Sequence, residues 1–159
     1  MSEVKEKYYR ATEKLLYNYK MLKVSIENMK AEIEELKKES GITGINYEGE
    51  KTSETHKITQ PTEEQSLRNI TQEYLLRKRI EITQNKIDRI DRALEGLNET
   101  ERKIVVMRYI EGMQWFKIAY EVNYNERWCK ELRKRAIEKL AIGIYGYTAL
   151  LKHDISKTI

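Results

Sequence analysis

Apolar side chains recur every three or four positions along the first part of the chain, between Val4 and Leu36. Charged and polar residues fill the positions between them, so that the apolar residues share one side of a helix. This near-heptad spacing predicts a coiled-coil-like helix over residues 4–38, about 50 Å long at 1.5 Å per residue. The stripe consists of Val4, Tyr8, Ala11, Leu15, Tyr19, Leu22, Ile26, Met29, Ile33 and Leu36.

A second long helix is predicted after residues 40–61, a stretch with three glycines and no helical period that we interpret as a loop. Thr62 and Gln65 occupy the two positions of a capping box directly after Pro61, which predicts where this helix begins. Two such helices are expected to pair as an antiparallel hairpin or to pair with a second copy of the chain. The apolar positions of the second helix are Leu67, Ile70, Tyr74, Leu75, Ile80, Ile87, Ile90 and Leu94.

Shorter amphipathic helices are predicted in the last third of the chain. The first begins at Asn98, which forms a further capping-box pattern with Glu101. A short helix over 114–122, a three-residue turn and a longer helix over 126–140 follow, and these are the parts of a helix-turn-helix. Their predicted inward residues are Trp115, Ile118, Ala119, Val122, Cys129, Leu132, Ala136, Ile137 and Leu140.

The sequence therefore predicts an all-α fold in three parts. Residues 1–96 are expected to form the long helical hairpin, or oligomerisation module, with its loop at 40–61. Residues 97–142 are expected to form the helix-turn-helix domain, and residues 143–159 a C-terminal tail.

Composition narrows the possible classes of protein. One proline and a charged fraction of 35% favour long helices. No stretch reaches the roughly 20 apolar residues of a membrane span, and the N-terminus lacks a signal-peptide core, so we expect a cytoplasmic protein with no membrane partner. Cys129, His56 and His153 do not have zinc-ligand spacing, and no catalytic motif is present. We therefore expect no enzyme, no metal and no cofactor.

The basic excess of the chain is local. Residues 1–96 carry 18 Lys/Arg and 18 Asp/Glu, whereas residues 97–140 carry ten and seven. The segment 125–140 alone holds six basic and three acidic residues, which accounts for the whole excess of that region. This distribution favours a polyanion partner at one place, although charge alone is equally typical of a solvated helix face.

The longer helix of the helix-turn-helix carries the candidate site. Asn123 tolerates the left-handed conformation that such a turn needs, and Asn125 can cap the helix that follows. Arg and Lys can donate to guanine, and Glu can accept from cytosine, so the outward residues near the helix start are suited to reading bases. The predicted base-reading residues are Glu126, Arg127, Lys130, Glu131 and Lys134. The predicted DNA-backbone contacts are Asn125, Trp128, Arg133, Arg135 and Lys139.

The segment LNETERKIVVMRYIEGMQWFKIAYEVNYNERWCKELRKRAIEKL, residues 97–140, resembles the region of bacterial sigma factors that reads the −35 promoter element. Its details are more similar to phage late-transcription regulators of the RinA/ArpU type. Those details are Gly112-x-x-Trp115, Ile118-Ala119, Asn123-Tyr124, Arg127-Trp128, Arg135-Ala136 and the earlier Pro61-Thr62-Glu63.

This resemblance covers residues 25–140 and implies a transcriptional activator of phage or prophage late genes. It implies double-stranded promoter DNA and host RNA polymerase as partners, in the nucleoid of a bacterial host cell. Glu126 and Glu131 stand where sigma factors commonly carry basic or amide residues, so the resemblance does not imply a consensus −35 site. Residues 1–96 do not resemble the sigma region that melts the −10 element, so a complete sigma factor is not implied.

Two alternatives belong to other classes. A small terminase subunit, which packages DNA, also joins a helix-turn-helix to helical oligomerisation segments. An interaction module that binds RNA polymerase would instead use the basic helix on an acidic protein surface. Homodimerisation through the N-terminal helices is compatible with the DNA-binding interpretation, because two recognition helices would meet two half-sites.

Overall fold

The computed structural model describes residues 4–39 and 62–150, and its regular elements in those ranges are all helical. The all-α fold class is therefore confirmed, whereas the predicted loop 40–61 and residues 151–159 lie outside the described residues. A π-helical segment, Val106–Ile110, follows the fourth α-helix, and a 3-10 helix, Gly146–Ala149, follows the sixth. The α-helices are α1 (Glu6–Tyr17), α2 (Tyr19–Glu39), α3 (Glu63–Glu95), α4 (Glu99–Val105), α5 (Trp115–Val122) and α6 (Glu126–Tyr145).

The first predicted helix is broken into two. Asn18 separates α1 from α2, with φ −94° and ψ 1°. Its backbone N–H and its side-chain amide both donate to the Lys14 carbonyl oxygen, at 3.2 and 2.7 Å. Asn competes for backbone hydrogen bonds in this way, and the apolar spacing that predicted one helix over 4–38 does not register it.

The described residues form two compact units, one of residues 4–23 with 85–150 and the other of residues 24–39 with 62–84. This grouping differs from the predicted division at residue 96. The physical reason lies in the core of the first unit, where residues of α1 and α3 are buried in the same cluster as residues of α6. The buried members of that cluster are Leu16, Ile90, Leu94, Leu97, Val105, Tyr109, Ala136, Ile137, Leu140 and Ile144.

Residues 143–150 belong to this folded unit and do not form a tail as predicted. Helix α6 continues to Tyr145, and Ala149 is fully buried. The Lys5 N–H donates to the Ala149 carbonyl oxygen at 2.9 Å, and Val4 forms an isolated antiparallel bridge with Leu150. These apolar contacts and backbone bonds are long-range in sequence, which is why local pattern did not indicate them.

In the smaller unit, α2 packs against α3 through Ile33, Leu36 and Leu76. The predicted apolar face of α3 is wrong over its first half, because Leu67, Ile70, Tyr74 and Leu75 are all exposed. Leu67 and Ile87 are separated by 20 positions, about five and a half turns at 3.6 residues per turn. Residues at the two ends of the predicted stripe therefore lie on opposite sides of the helix.

The helix starts were predicted more accurately than the long-range contacts. The Thr62 hydroxyl accepts from the Gln65 N–H at 3.3 Å, and Asn98 and Glu101 form a reciprocal capping box. Within residues 4–39 and 62–150, the helices all fall short of the combined length and apolar character needed to cross a bilayer.

Candidate nucleic-acid interface

Helices α5 and α6 are held together by a small core of their own. Ile104, Ile118 and Cys129 are fully buried in it, each from a different helix. Burial raises the pKa of the Cys129 thiol, which keeps the side chain neutral and apolar in character. The residues packed around this centre are Met107, Met113, Trp115, Ala119, Val122 and Leu132. The predicted inward faces of both helices are confirmed.

The turn between α5 and α6 has the predicted backbone geometry. Asn123 lies in the left-handed region with φ 57° and ψ 39°, and the Tyr124 N–H donates to the Ala119 carbonyl oxygen at 3.1 Å. The Asn125 side chain accepts from the Trp128 N–H at 2.8 Å and so caps α6. The Asn125 side chain is therefore engaged by the end of α6, and its backbone carbonyl oxygen accepts from the Cys129 N–H at 3.1 Å.

The five residues predicted to read bases all lie on the exposed side of α6. Residues spaced by four positions share one side of a helix, and Glu126, Lys130 and Lys134 have this spacing, as do Arg127 and Glu131. The Lys130 Nζ is 3.9 Å from a Glu126 carboxylate oxygen, and both side chains are about half exposed, so the pair adds little to stability. The exposed residues are Glu126, Arg127, Lys130, Glu131 and Lys134.

Trp128 lies at the edge of the same surface. The side chain is 38% exposed, and the Arg135 guanidinium carbon is 5.3 Å from its ring centroid. Arg127, Glu131 and Asn125 line a shallow hollow together with Trp128. The structure thus groups an indole, two cations and a carboxylate at the start of α6.

Arg133 contacts other elements of the protein, in contrast to its predicted position on the DNA backbone. Its guanidinium donates to Glu13 of α1 and to the Tyr109 hydroxyl oxygen, at 3.3 Å in each case. The Tyr109 hydroxyl itself donates to the same Glu13 oxygen at 2.5 Å. Burial, together with this hydrogen bond to Glu13, raises the pKa of Tyr109 well above its usual range. Arg133 therefore fixes α6 to α1.

Lys139 also has an internal partner. Its ammonium donates to a Glu101 carboxylate oxygen at 2.7 Å, and the Glu101 side chain is only 4% exposed. Glu101 also accepts from the Asn98 N–H as part of the capping box. Because a buried carboxylate without a counter-ion is costly, Lys139 stabilises the junction between α4 and α6.

Several surface aromatics were not among the predicted site residues. Phe116 and Tyr120 lie on the outer side of α5, and Tyr124 is exposed in the turn. The sequence could have indicated this exposure. Once the inward apolar residues of α5 are assigned, Phe116 and Tyr120 lie on its opposite side. Trp115 is only partly buried, and the nearest charged group to its ring, Arg108, lies 5.1 Å from the centroid.

An apolar groove of about 370 Å³ lies beside this interface. Met107, Met113 and Val106 supply its apolar surface, and charged residues of α4 and α5 surround them. The charged residues are Arg102 and Lys103 of α4, Glu121 of α5, and Glu111, which follows the π-helical segment.

Comparison with known proteins identifies the family without supplying an activity. No curated protein and no solved structure matches the chain. Residues 9–142 match the model of a family described as "Protein of unknown function (DUF722)", a span that includes α2 to α5 whole and most of α1 and α6. The chain belongs to this family.

Proposed function

We propose that this protein is a sequence-specific, double-stranded DNA-binding regulator of transcription, with the α5–turn–α6 segment as its helix-turn-helix. The observation that carries the proposal is the row of exposed charged side chains on the first half of α6, beneath which Ile118 and Cys129 are fully buried. A helix fixed in this way can enter the major groove, and the side chains of its first turns then reach base edges.

The base-reading roles divide by chemistry. Arg127 and Lys130 can donate to the O6 and N7 atoms of guanine, whereas Glu126 and Glu131 can accept from the N4 amino group of cytosine. Lys134 lies one turn further along the same exposed side. A recognition helix with both signs of charge therefore favours a site that contains G·C base pairs.

The phosphate contacts form a smaller set than the sequence indicated. Arg135 and Trp128 are exposed beside the recognition residues, and the first N–H groups of α6 can face a phosphate. Arg133 and Lys139 are assigned to internal ion pairs and contribute only through the position of α6.

The resemblance to RinA/ArpU-type regulators supports a role as an activator of phage or prophage late genes, acting with host RNA polymerase in the bacterial cytoplasm. For the polymerase contact we propose the groove around Met107 and Met113. Methionines adapt to irregular apolar partners, and a charged rim is typical of protein interfaces.

The proposal is tested by selecting bound duplexes from a random DNA pool with the full-length chain. We expect one recovered motif, with an affinity that falls steeply as salt increases. Arg127→Ala should lose the motif, whereas Arg10→Ala, which removes an exposed arginine of α1 paired with Glu6, should retain it.

Three results would contradict the proposal. Binding without any recovered motif would reject sequence-specific regulation. A large ring of copies that binds DNA would favour the terminase alternative. Binding to polymerase but not to DNA would favour the interaction module.

A further inference from the structure

Helix α3 has a second apolar surface, on the side opposite the one that packs against α2. We call it the α3 stripe, and each of its apolar side chains is more than half exposed. The buried positions Asn69 and Leu76 lie about half a turn around the helix from it. The stripe consists of Leu67, Ile70, Tyr74, Leu75 and Ile82.

The α3 stripe is large for a surface that faces water. It places five large apolar side chains within about 24 Å of helix, and single exposed hydrophobics are normal whereas contiguous patches mark interaction sites. The stripe does not hold α2, because Ile33 and Leu36 pack against Leu76 on the other side. A partner on the stripe would therefore be something other than α2.

Charges on either side of the segment from Leu67 to Leu75, which holds four of the five stripe residues, indicate which partner fits. The first turn of α3 is acidic, with Glu63 and Glu64, whereas Arg77, Lys78 and Arg79 form a basic run four turns later. An apolar segment with acidic residues before it and basic residues after it is complementary to an antiparallel copy of itself.

The ion pairs already present on α3 do not oppose this pairing. Glu64 pairs with Arg68 at 2.6 Å, and Lys78 pairs with Glu81 at 2.9 Å, each within one helix turn. All four side chains are more than half exposed, and such pairs contribute little to stability. Exchanging these partners for those of a second copy therefore costs little.

We propose that the α3 stripe is a self-association surface, on which α3 of a second copy of the chain packs antiparallel. The two-fold axis passes close to Thr71, which is exposed midway between Leu67 and Leu75. In that register Leu67 faces Tyr74 and Leu75 of the second copy, and Glu64 faces Lys78 of the second copy. This proposal rests on α3 alone and does not depend on DNA binding.

The first test is the mass of the full-length chain in sedimentation equilibrium, in the absence of DNA. We expect a dimer, and we expect Leu67→Glu with Leu75→Glu to weaken it by at least about a hundredfold, since four leucine side chains per dimer lose their apolar contact. Tyr147→Glu, at a still more exposed position outside α3, should leave the dimer unchanged. A monomeric wild type, or a double variant that remains dimeric, would overturn the proposal.

The second test examines the antiparallel register by charge exchange. Glu64→Lys alone and Lys78→Glu alone should each weaken the dimer by about threefold to tenfold, because each places like charges opposite one another. The two changes together should restore it. Since the exchange does not restore the Glu64–Arg68 or Lys78–Glu81 pairs, restoration requires contact between copies, and its failure would overturn the antiparallel arrangement.

A third measurement uses oxidative cross-linking. Thr71→Cys should form a disulfide-linked dimer, because the two copies of this position face one another across the axis. Wild-type protein should not cross-link, since its single cysteine, Cys129, is fully buried. Failure of Thr71→Cys to cross-link a protein that sediments as a dimer would exclude this register.

Discussion

The exposed side of α6 and the exposed side of α3 differ in the one property that decides their partners. On α6 the outward residues are charged, and the helix beneath them is anchored by a dense core. On α3 the outward residues are apolar, and its contact with α2 rests on a few side chains such as Leu76. A charged surface on a fixed helix suits a polyanion, and an apolar surface suits a protein, so the two proposals assign a different kind of partner to each surface.

The largest expected effect is on the free energy of unfolding, and it distinguishes the core beneath α6 from the exposed α3 stripe. Ile118→Ala should lower the free energy of unfolding by about 2–5 kcal/mol, because it leaves a cavity in the core between α4, α5 and α6. Leu67→Ala, on the exposed α3 stripe, should change it by less than about 0.5 kcal/mol at low protein concentration. Urea denaturation measures both, and equal losses would contradict the contrast.

The next largest effect on the free energy of unfolding concerns the buried carboxylate of Glu101, which pairs with Lys139 of α6. Glu101→Ala should lower the free energy of unfolding by about 2–3 kcal/mol, since it removes the capping box of α4 and the partner of Lys139. Glu99→Ala removes an exposed pair with Lys103 in the same helix and should lower the free energy of unfolding much less than Glu101→Ala does, because solvent screens the pair. A larger loss for Glu99→Ala would show that the pair with Lys139 is not structural.

Two arginines of α6 should separate stability from DNA binding. Arg133→Met should lower the free energy of unfolding by about 1–2 kcal/mol, because Glu13 and Tyr109 lose their donor. Arg135→Met should leave stability unchanged and reduce the dependence of DNA affinity on salt by about one phosphate contact. If Arg133→Met alone reduced the salt dependence, Arg133 would be a phosphate contact as the sequence indicated.

The smallest effect is a pH dependence at Tyr109. Its pKa is raised in the folded state, so the folded protein holds this proton more tightly than the unfolded chain does. The resulting stability is present below pH 10, the ordinary pKa of tyrosine, and is lost as the pH rises above it. Tyr109→Phe should therefore show a shallower decline in melting temperature between pH 9 and about 11. An unchanged slope would reject this role.

The features that the sequence predicted correctly are those that depend on neighbouring residues. Asn98 with Glu101, Thr62 with Gln65, and Asn123 each act within one helix turn, so residue type and spacing were sufficient. The residues predicted to read bases were also predicted to be exposed, because the apolar residues of α6 define its buried side and these residues lie on the opposite side.

The features that were predicted wrongly depend on particular contacts, which the intervals between apolar residues in the sequence do not reveal. Arg133 and Glu13 are 120 positions apart, and the sequence offered no reason to pair them. The apolar residues of α3 belong to two different faces, and a count of three- and four-residue intervals merges them. Asn18 interrupts a helix through one side-chain hydrogen bond, which leaves the apolar period intact.

The most direct measurement of the central claim is the affinity of wild type and Arg127→Ala for the selected duplex and for a scrambled duplex of equal length. We expect the variant to bind the selected duplex about five- to a hundredfold more weakly, with nearly unchanged binding to the scrambled one. Such a result would identify α6 as the helix that reads bases. Equal weakening on both duplexes, or no weakening on either, would contradict the claim.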